Sequence, residues 1–138
     1  MGVVVDSSVF IAAERARLDW SGFHESIETE PLFLTVVTLA ELLHGARRAD
    51  SPSRKAGRLA FIAEIEARYP LLTFGRGEAA EYAEIWAALS LRGQIVGTHD
   101  LQIAAIARHH GHRVATLNAA EFSRVPDLGV LDASTFRK

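Results

Sequence analysis

The 138-residue sequence contains no cysteine, which excludes disulfides, thiolate nucleophiles and thiolate metal sites together and fits a reducing compartment. Any bound metal would have to sit on oxygen or imidazole. No apolar run approaches the ~20 residues of a membrane span, so no membrane partner is expected. The start, Met1-Gly2-Val3-Val4-Val5-Asp6, lacks a basic leader and meets an acid after three valines; a cytoplasmic protein is the expectation. There is no glycine-rich phosphate loop, and Ser7 and Ser8 lack the glycine-flanked elbow of a serine nucleophile. A net charge of −2 argues against nucleic-acid binding by overall charge, though a local basic patch remains open.

What is present is a hydrophobic share of 49% in a chain the size of one domain, so residues 1–138 are read as a single unit. Val3-Val4-Val5, Leu32–Val36, Leu71–Phe74 and Arg113–Leu117 have the continuous apolar or β-branched character of buried parallel strands, with Val130-Leu131 a weak fifth. Helical periodicity fills the intervals. Either serine of Asp6-Ser7-Ser8 caps a helix through Ala12, and Leu18–Glu30 reads as a second helix. Thr38 is a plausible cap for a helix through Ala46, Arg54–Arg68 forms another, and Glu78–Leu91 carries Tyr82, Ile85, Trp86 and Leu89 inward before Gly93 stops it. Strands alternating with helices predict an α/β fold, with a parallel four- to five-stranded sheet covered by helices on both faces.

The chemistry rests on acids in unusual places. In Gly97–Ala107 the positions three, four and seven after Asp100 are Ile103, Ala104 and Ala107, so Asp100 shares the inward stripe of its helix, with Thr98 offering a cap. An inward carboxylate costs several kcal/mol unless it is paired, hydrogen-bonded or metal-bound. Asp6 leaves the carboxyl end of the first strand. Glu41 stands three residues after Thr38, either as the acid of a capping box or as a side chain pointing toward the same sheet edge as Asp6. Asn118 and Glu121 follow the fourth strand and reach that edge too. Open α/β sheets bind ligands there. Clustered carboxylates stay ionised only with compensating cations, and a hard divalent ion, Mg2+ or Mn2+, is the economical one; such ions activate water against phosphodiesters. His109-His110-Gly111-His112 lies where a helix meets its glycine stop, and a helix-dipole role suits it better than a zinc site.

Four segments in this order resemble the PIN domain family, and within it the VapC toxins of bacterial toxin–antitoxin pairs. They are Val-Val-Val-Asp6-Ser7-Ser8-Val-Phe-Ile, Thr38-Leu-Ala-Glu41-Leu-Leu-His-Gly45, Gly97-Thr-His-Asp100-Leu-Gln-Ile-Ala-Ala-Ile-Ala and Thr116-Leu-Asn118-Ala-Ala-Glu121-Phe122. The resemblance spans nearly the whole chain, making residues 1–138 a PIN domain. It implies Asp6, Glu41 and Asp100 as metal-binding, catalytic acids, with Ser8 and Thr116 orienting them from behind. Many members place Asp where Asn118 stands, so the fourth corner falls to Asn118 or to Glu121. The resemblance further implies an endoribonuclease cutting structured RNA such as a transfer or ribosomal RNA loop. It implies a homodimer, and a VapB-like antitoxin that silences the enzyme in a hetero-oligomer. Arg47, Arg48, Arg54 and Lys55 then become candidates for an RNA-facing surface. Two other readings are an inactive binding module on the same fold and a phosphatase, although the latter resembles Asp-x-Asp where Ser8 stands here.

Overall fold

The computed structural model describes all residues, 1–138. In chain order the elements are β1 (Val3–Val5), α1 (Ser7–Glu14), α2 (Trp20–Ser26), β2 (Leu32–Thr35), α3 (Val36–Arg47), α4 (Pro52–Arg68), β3 (Leu71–Leu72), α5 (Arg76–Leu91), α6 (Thr98–His109), β4 (Arg113–Thr116), α7 (Ala119–Phe122) and β5 (Val130–Asp132), followed by a 3-10 turn, Ala133–Phe136. The five strands form one parallel sheet in the order β3-β2-β1-β4-β5. The predicted fold class and strand number are those observed. No helix is long and apolar enough to cross a membrane.

β1 is central, and its three valines are fully buried because helices cover both faces. Val3 and Val5 join a core with α1, α2, α3 and α4, including Phe10, Phe23 and Ile65. Val4 points the other way, into a core with α5 and α6 that includes Ile85, Leu89, Ile103 and Ile106. Ala104, Ala105 and Ala107 are wholly buried, and their small side chains let α6 lie close to the sheet and to α5. From β1 the chain winds outward to β2 and β3 on one side and reaches β4 and β5 on the other. The β1/β4 junction is therefore the topological switch point, where a crevice opens at the strands' carboxyl ends.

Several local expectations shift. α2 spans only Trp20–Ser26, because Asp19 caps it by accepting from the Gly22 N–H at 3.1 Å and Leu18 is drawn into an antiparallel bridge with Arg137. β2 stops at Thr35, whose hydroxyl accepts from the Thr38 N–H at 3.1 Å and caps α3. Thr38 is consequently inside α3 and not its cap, and Glu41 lies in the second helical turn with no capping-box role. Neither Ser7 nor Ser8 caps α1; Asp6 holds that position by its backbone alone. Gly97, not Thr98, is the cap residue of α6. β3 is cut to two residues. Trp86, expected inward, is 57% exposed. Gly93 and Gly111 stop their helices at positive φ, 64° and 71°, as their positions predict.

Candidate functional site

Asp6 is the first residue past β1 and only 3% exposed. Its Oδ2 accepts hydrogen bonds from the Ser8 hydroxyl at 2.6 Å and the Thr116 hydroxyl at 2.9 Å. Each hydroxyl is itself fixed from behind, Ser8 by accepting the Leu117 N–H at 3.1 Å and Thr116 by accepting the Asn118 N–H at 2.9 Å. Backbone amides of the β4–α7 loop thus orient two hydroxyls, and the hydroxyls orient one carboxylate. Asp6 Oδ1 is left buried with no partner of any kind. A buried carboxylate oxygen without a donor costs a few kcal/mol, so this atom asks for something electropositive.

The other acids surround it. Glu41 Oε1 accepts from the Ser7 hydroxyl at 3.1 Å, and Oε2 lies 3.7 Å from His99 Nδ1. Burial pushes the Glu41 carboxyl above its ordinary range and the charge of Asp6 adds to this, while Ser7 and His99 oppose. Asp100, in the first turn of α6, is pushed up to about 7, by burial first and then by Asp6, Glu121 and Glu41. Glu121 behaves oppositely. Its Oε1 accepts from the Gly97 N–H at 2.6 Å, the leading cause of its lowered pKa, and Oε2 accepts from the Asn118 amide. That carboxylate stands in for the absent side-chain cap of α6, where the helix dipole favours an anion.

An open cleft of about 320 Å3 is bounded by Glu41, Gly97, Thr98, His99 and Asp100. Asp6, Glu41, Asp100 and Glu121 therefore share one neighbourhood at the switch point, and Ser8 and Thr116 stand behind Asp6 where the sequence expected them. No three His, Asp or Glu side chains are already gathered around one point at ligand distance. The donor set is nevertheless all hard oxygen, it is mutually repulsive, and it contains one buried unpartnered acceptor. Those properties fit a divalent cation of the Mg2+ type.

Two functional neighbours escaped the sequence reading. Ser7 reads from the sequence as a cap or a discounted nucleophile and not as a partner of Glu41, and nothing in the sequence singles out His99, which precedes Asp100 and stands exposed beside Glu41. The candidate RNA contacts Arg47, Arg48, Arg54 and Lys55 lie at the far tip of the α3–α4 hairpin and do not line the cleft. Arg54 pairs there with Asp50 at 3.3 Å. The histidine cluster is structural: His110 Nε2 is 3.1 Å from the buried Glu78, and His112 Nδ1 accepts from the Gly2 N–H at 2.9 Å.

Fold and site together define a class, an α/β domain whose switch-point crevice is lined by acids. The comparisons supply the family. The model of the PIN domain matches residues 3–128. Ribonuclease VapC1 of Rickettsia felis is 34% identical over 138 residues, covering 98% of each chain. The tRNA(fMet)-specific endonuclease VapC of Salmonella typhimurium is 31% identical over 107 residues, 78% of this chain and 79% of that one. The crystal structure of VapBC-5, a toxin–antitoxin system member from Mycobacterium tuberculosis, superposes with a TM-score of 0.74 at 30% identity over 95% of this chain and 97% of that one. The chain belongs to the PIN domain family, among its VapC ribonucleases.

Proposed function

We propose that this ribonuclease is a divalent-metal-dependent endoribonuclease toxin, using Mg2+ or Mn2+, that cuts structured RNA and is silenced by a VapB-like antitoxin. The observation that carries the metal dependence is Asp6 Oδ1, buried and unpartnered among acids that repel one another. Asp6, Glu41 and Asp100 would hold the ion, with the side-chain amide oxygen of Asn118 as the fourth corner. A bound ion would supply Lewis acidity and a water nucleophile for in-line attack at phosphorus.

The chain's own residues prepare that chemistry. Ser8 and Thr116 lock the plane of the Asp6 carboxylate, so that Oδ1 is the atom left to bind. Ser7 restrains Glu41 at the cleft wall. Asp100 holds a proton for part of the time at neutral pH and must give it up when a cation arrives. Glu121 keeps α6, and with it Asp100, at the cleft through Gly97.

The relative from Salmonella is named for initiator transfer RNA, which supports a structured RNA as substrate. For the antitoxin, an apolar groove of about 260 Å3 walled by Phe10, Trp20, Phe61, Ile65 and Tyr69 offers a seat for an apolar segment. Exposed Trp86, Leu91 and Ile95 give a homodimer apolar area to cover. The outlying cations Arg47, Arg48, Arg54 and Lys55 supply more distant phosphate contacts.

A phosphatase built on Asp-x-Asp has no footing, because Ser8 spends its hydroxyl on Asp6. The inactive-module reading leaves the cost of the cleft unexplained. The deciding experiment incubates purified protein with cellular RNA and maps new ends. Cleavage is expected with Mg2+ or Mn2+ and not in EDTA, and Asp6→Asn is expected to abolish it while the circular dichroism spectrum is kept. Cleavage that persists in EDTA overturns the metal dependence; intact RNA under every condition favours the binding module.

A further inference from the structure

An acid-lined cleft on a chain of net charge −2 repels the polyanion that a ribonuclease must seat, so cations elsewhere have to hold it. Beside Ser8, on the flank of α1, lies a second groove of about 370 Å3 whose lining includes Ser8, Leu117, Arg15, Arg17, Arg137 and Lys138. It begins at the two residues that hydrogen-bond each other directly behind Asp6.

Local structure puts the cations there. α1 ends in a Schellman turn, with the Arg17 N–H on the Ala12 carbonyl at 2.8 Å, the Ala16 N–H on Ala13 at 3.1 Å and Ala16 at φ 55°. That turn separates Arg15 from Arg17 and sends both outward, where both are exposed. The end of the chain is stitched alongside. Leu18 bridges Arg137, the Asp19 N–H donates to Phe136 at 2.7 Å, and the Lys138 N–H donates to the Arg17 carbonyl at 3.0 Å. Residues 120 positions apart in sequence thereby form one cationic strip.

Its charge is uncommitted. Arg54, Arg108 and Arg113 are each engaged by a carboxylate, and Arg58 and Arg124 donate to backbone carbonyls. Arg15, Arg17, Arg137 and Lys138 make no ion pair and no side-chain hydrogen bond. Acids in their vicinity include Glu14, which shares a neighbouring cavity with Arg15, Glu41 and Arg58; Asp19, paired through its backbone with Phe136; and Asp132, which feels Arg137. Arg15 thus stands between the strip and the Glu41 wall of the cleft.

We propose that this strip is the track for the RNA backbone leaving the cleft, with Arg15, Arg17 and Arg137 each taking one phosphodiester through the guanidinium fork. The inference rests on the ribonuclease reading and deepens it. A protein partner is the lesser fit, since the aromatic groove at Phe10, Trp20 and Tyr69 is where apolar surface lies open.

The test measures binding of a fluorescein-labelled single-stranded RNA oligonucleotide to the full chain in EDTA, titrated with KCl, for the wild type and for Arg15→Ala/Arg17→Ala/Arg137→Ala. Loss of three contacts should lower the slope of log K against log salt by about 2 and weaken binding at about 0.15 M salt by on the order of 50-fold. With Mg2+ present, KM should rise and kcat hold. Arg92→Ala, at the end of α5, should leave the slope unchanged. An unchanged slope in the triple variant, or no binding by the wild type, overturns the track even if the wild type cleaves RNA. An unchanged slope with lost antitoxin binding overturns it in favour of a protein partner. Failure of the wild type to cleave with Mg2+, with the slope change intact, would count against the nuclease reading alone.

Discussion

Replacing Asp100 by asparagine should stabilise the protein while destroying its activity, and the stabilisation should depend on pH in a defined direction. The carboxyl is pushed from an ordinary 3.8 up to about 7, by burial first and by Asp6, Glu121 and Glu41 after it. Taken whole, a gap of that size corresponds to about 4 kcal/mol. Asp100 is only partly enclosed and its neighbours act partly through water, so about 1–2 kcal/mol is the realistic magnitude. The folded-state value is raised, so below 3.8 the acid is neutral in both folded and unfolded chains and costs nothing. As pH climbs from there through about 7 the unfolded chain releases its proton first, and the folded state loses stability until Asp100 is ionised in both. Asparagine never ionises. By differential scanning fluorimetry the variant should melt with the wild type near pH 4 and about 3–8 °C above it near pH 8. Mg2+ should raise the wild-type midpoint and leave that of the variant nearly in place. A variant no more stable than wild type near pH 8, or equally more stable at both pH values, would refute the account of a crowded acid waiting for a cation.

Ser8→Ala removes the 2.6 Å clamp on Asp6 and the acceptor of the Leu117 N–H, so a loss of about 1–2 kcal/mol by urea titration is expected. Weaker Mg2+ binding by isothermal titration should accompany it, and unaltered Mg2+ affinity would deny Ser8 its orienting role. Thr38→Val should stabilise α3 by about 1 kcal/mol, because the Thr38 hydroxyl is fully buried without a partner and valine keeps the shape; a destabilised variant in the same titration would reveal a partner for that hydroxyl. Glu121→Gln keeps a carbonyl oxygen for the Gly97 N–H, so Mg2+ affinity should fall less than tenfold while Glu121→Ala loosens the start of α6 to hydrogen exchange. An effect of Glu121→Gln as large as that of Asp100→Asn would instead make Glu121 a direct ligand.

Periodicity carried the reading wherever the signal was local. The valines of β1 are buried on both faces, and Ile103, Ala104 and Ala107 are buried as their spacing predicts, although Ala105 and Ile106 are buried too and Asp100 stands half-buried at the cleft. The errors arose where two neighbours compete for one role. Thr35 and Thr38 both could cap α3, and Thr35 wins because it is the last residue of β2 with extended backbone, φ −99° and ψ 155°. Its success moves Glu41 out of the first turn and frees that carboxylate for Ser7 and the cleft. Trp86 fits the helical stripe of α5, yet α6 covers that helix with small alanines along Ile85 and Leu89 and leaves the indole outside. The cationic strip was beyond reach of any spacing argument, since Arg17 and Arg137 meet only through backbone pairing between segments far apart in sequence.

The cleft and the fold answer opposite demands. Burial and the charge of Asp6 make Glu41 and Asp100 costly to ionise, so the free protein does not derive its stability from those two carboxylates. Hydroxyls orient the carboxylates of Asp6 and Glu41, but the packing that fixes the elements carrying Asp6 and Asp100 is independent of their charge. β1 is fixed by valines packed into two cores, and α6 by Ile103, Ile106 and three buried alanines. Burial of Ile103 and Ile106 contributes about 2–3 kcal/mol each, the same order as the penalty at Asp100. The remaining anion, Glu121, is spent on the helix start, where its charge is favourable. The fold therefore keeps three carboxylates at one edge without satisfying Asp6 Oδ1, and it does so by packing forces that do not depend on a ligand.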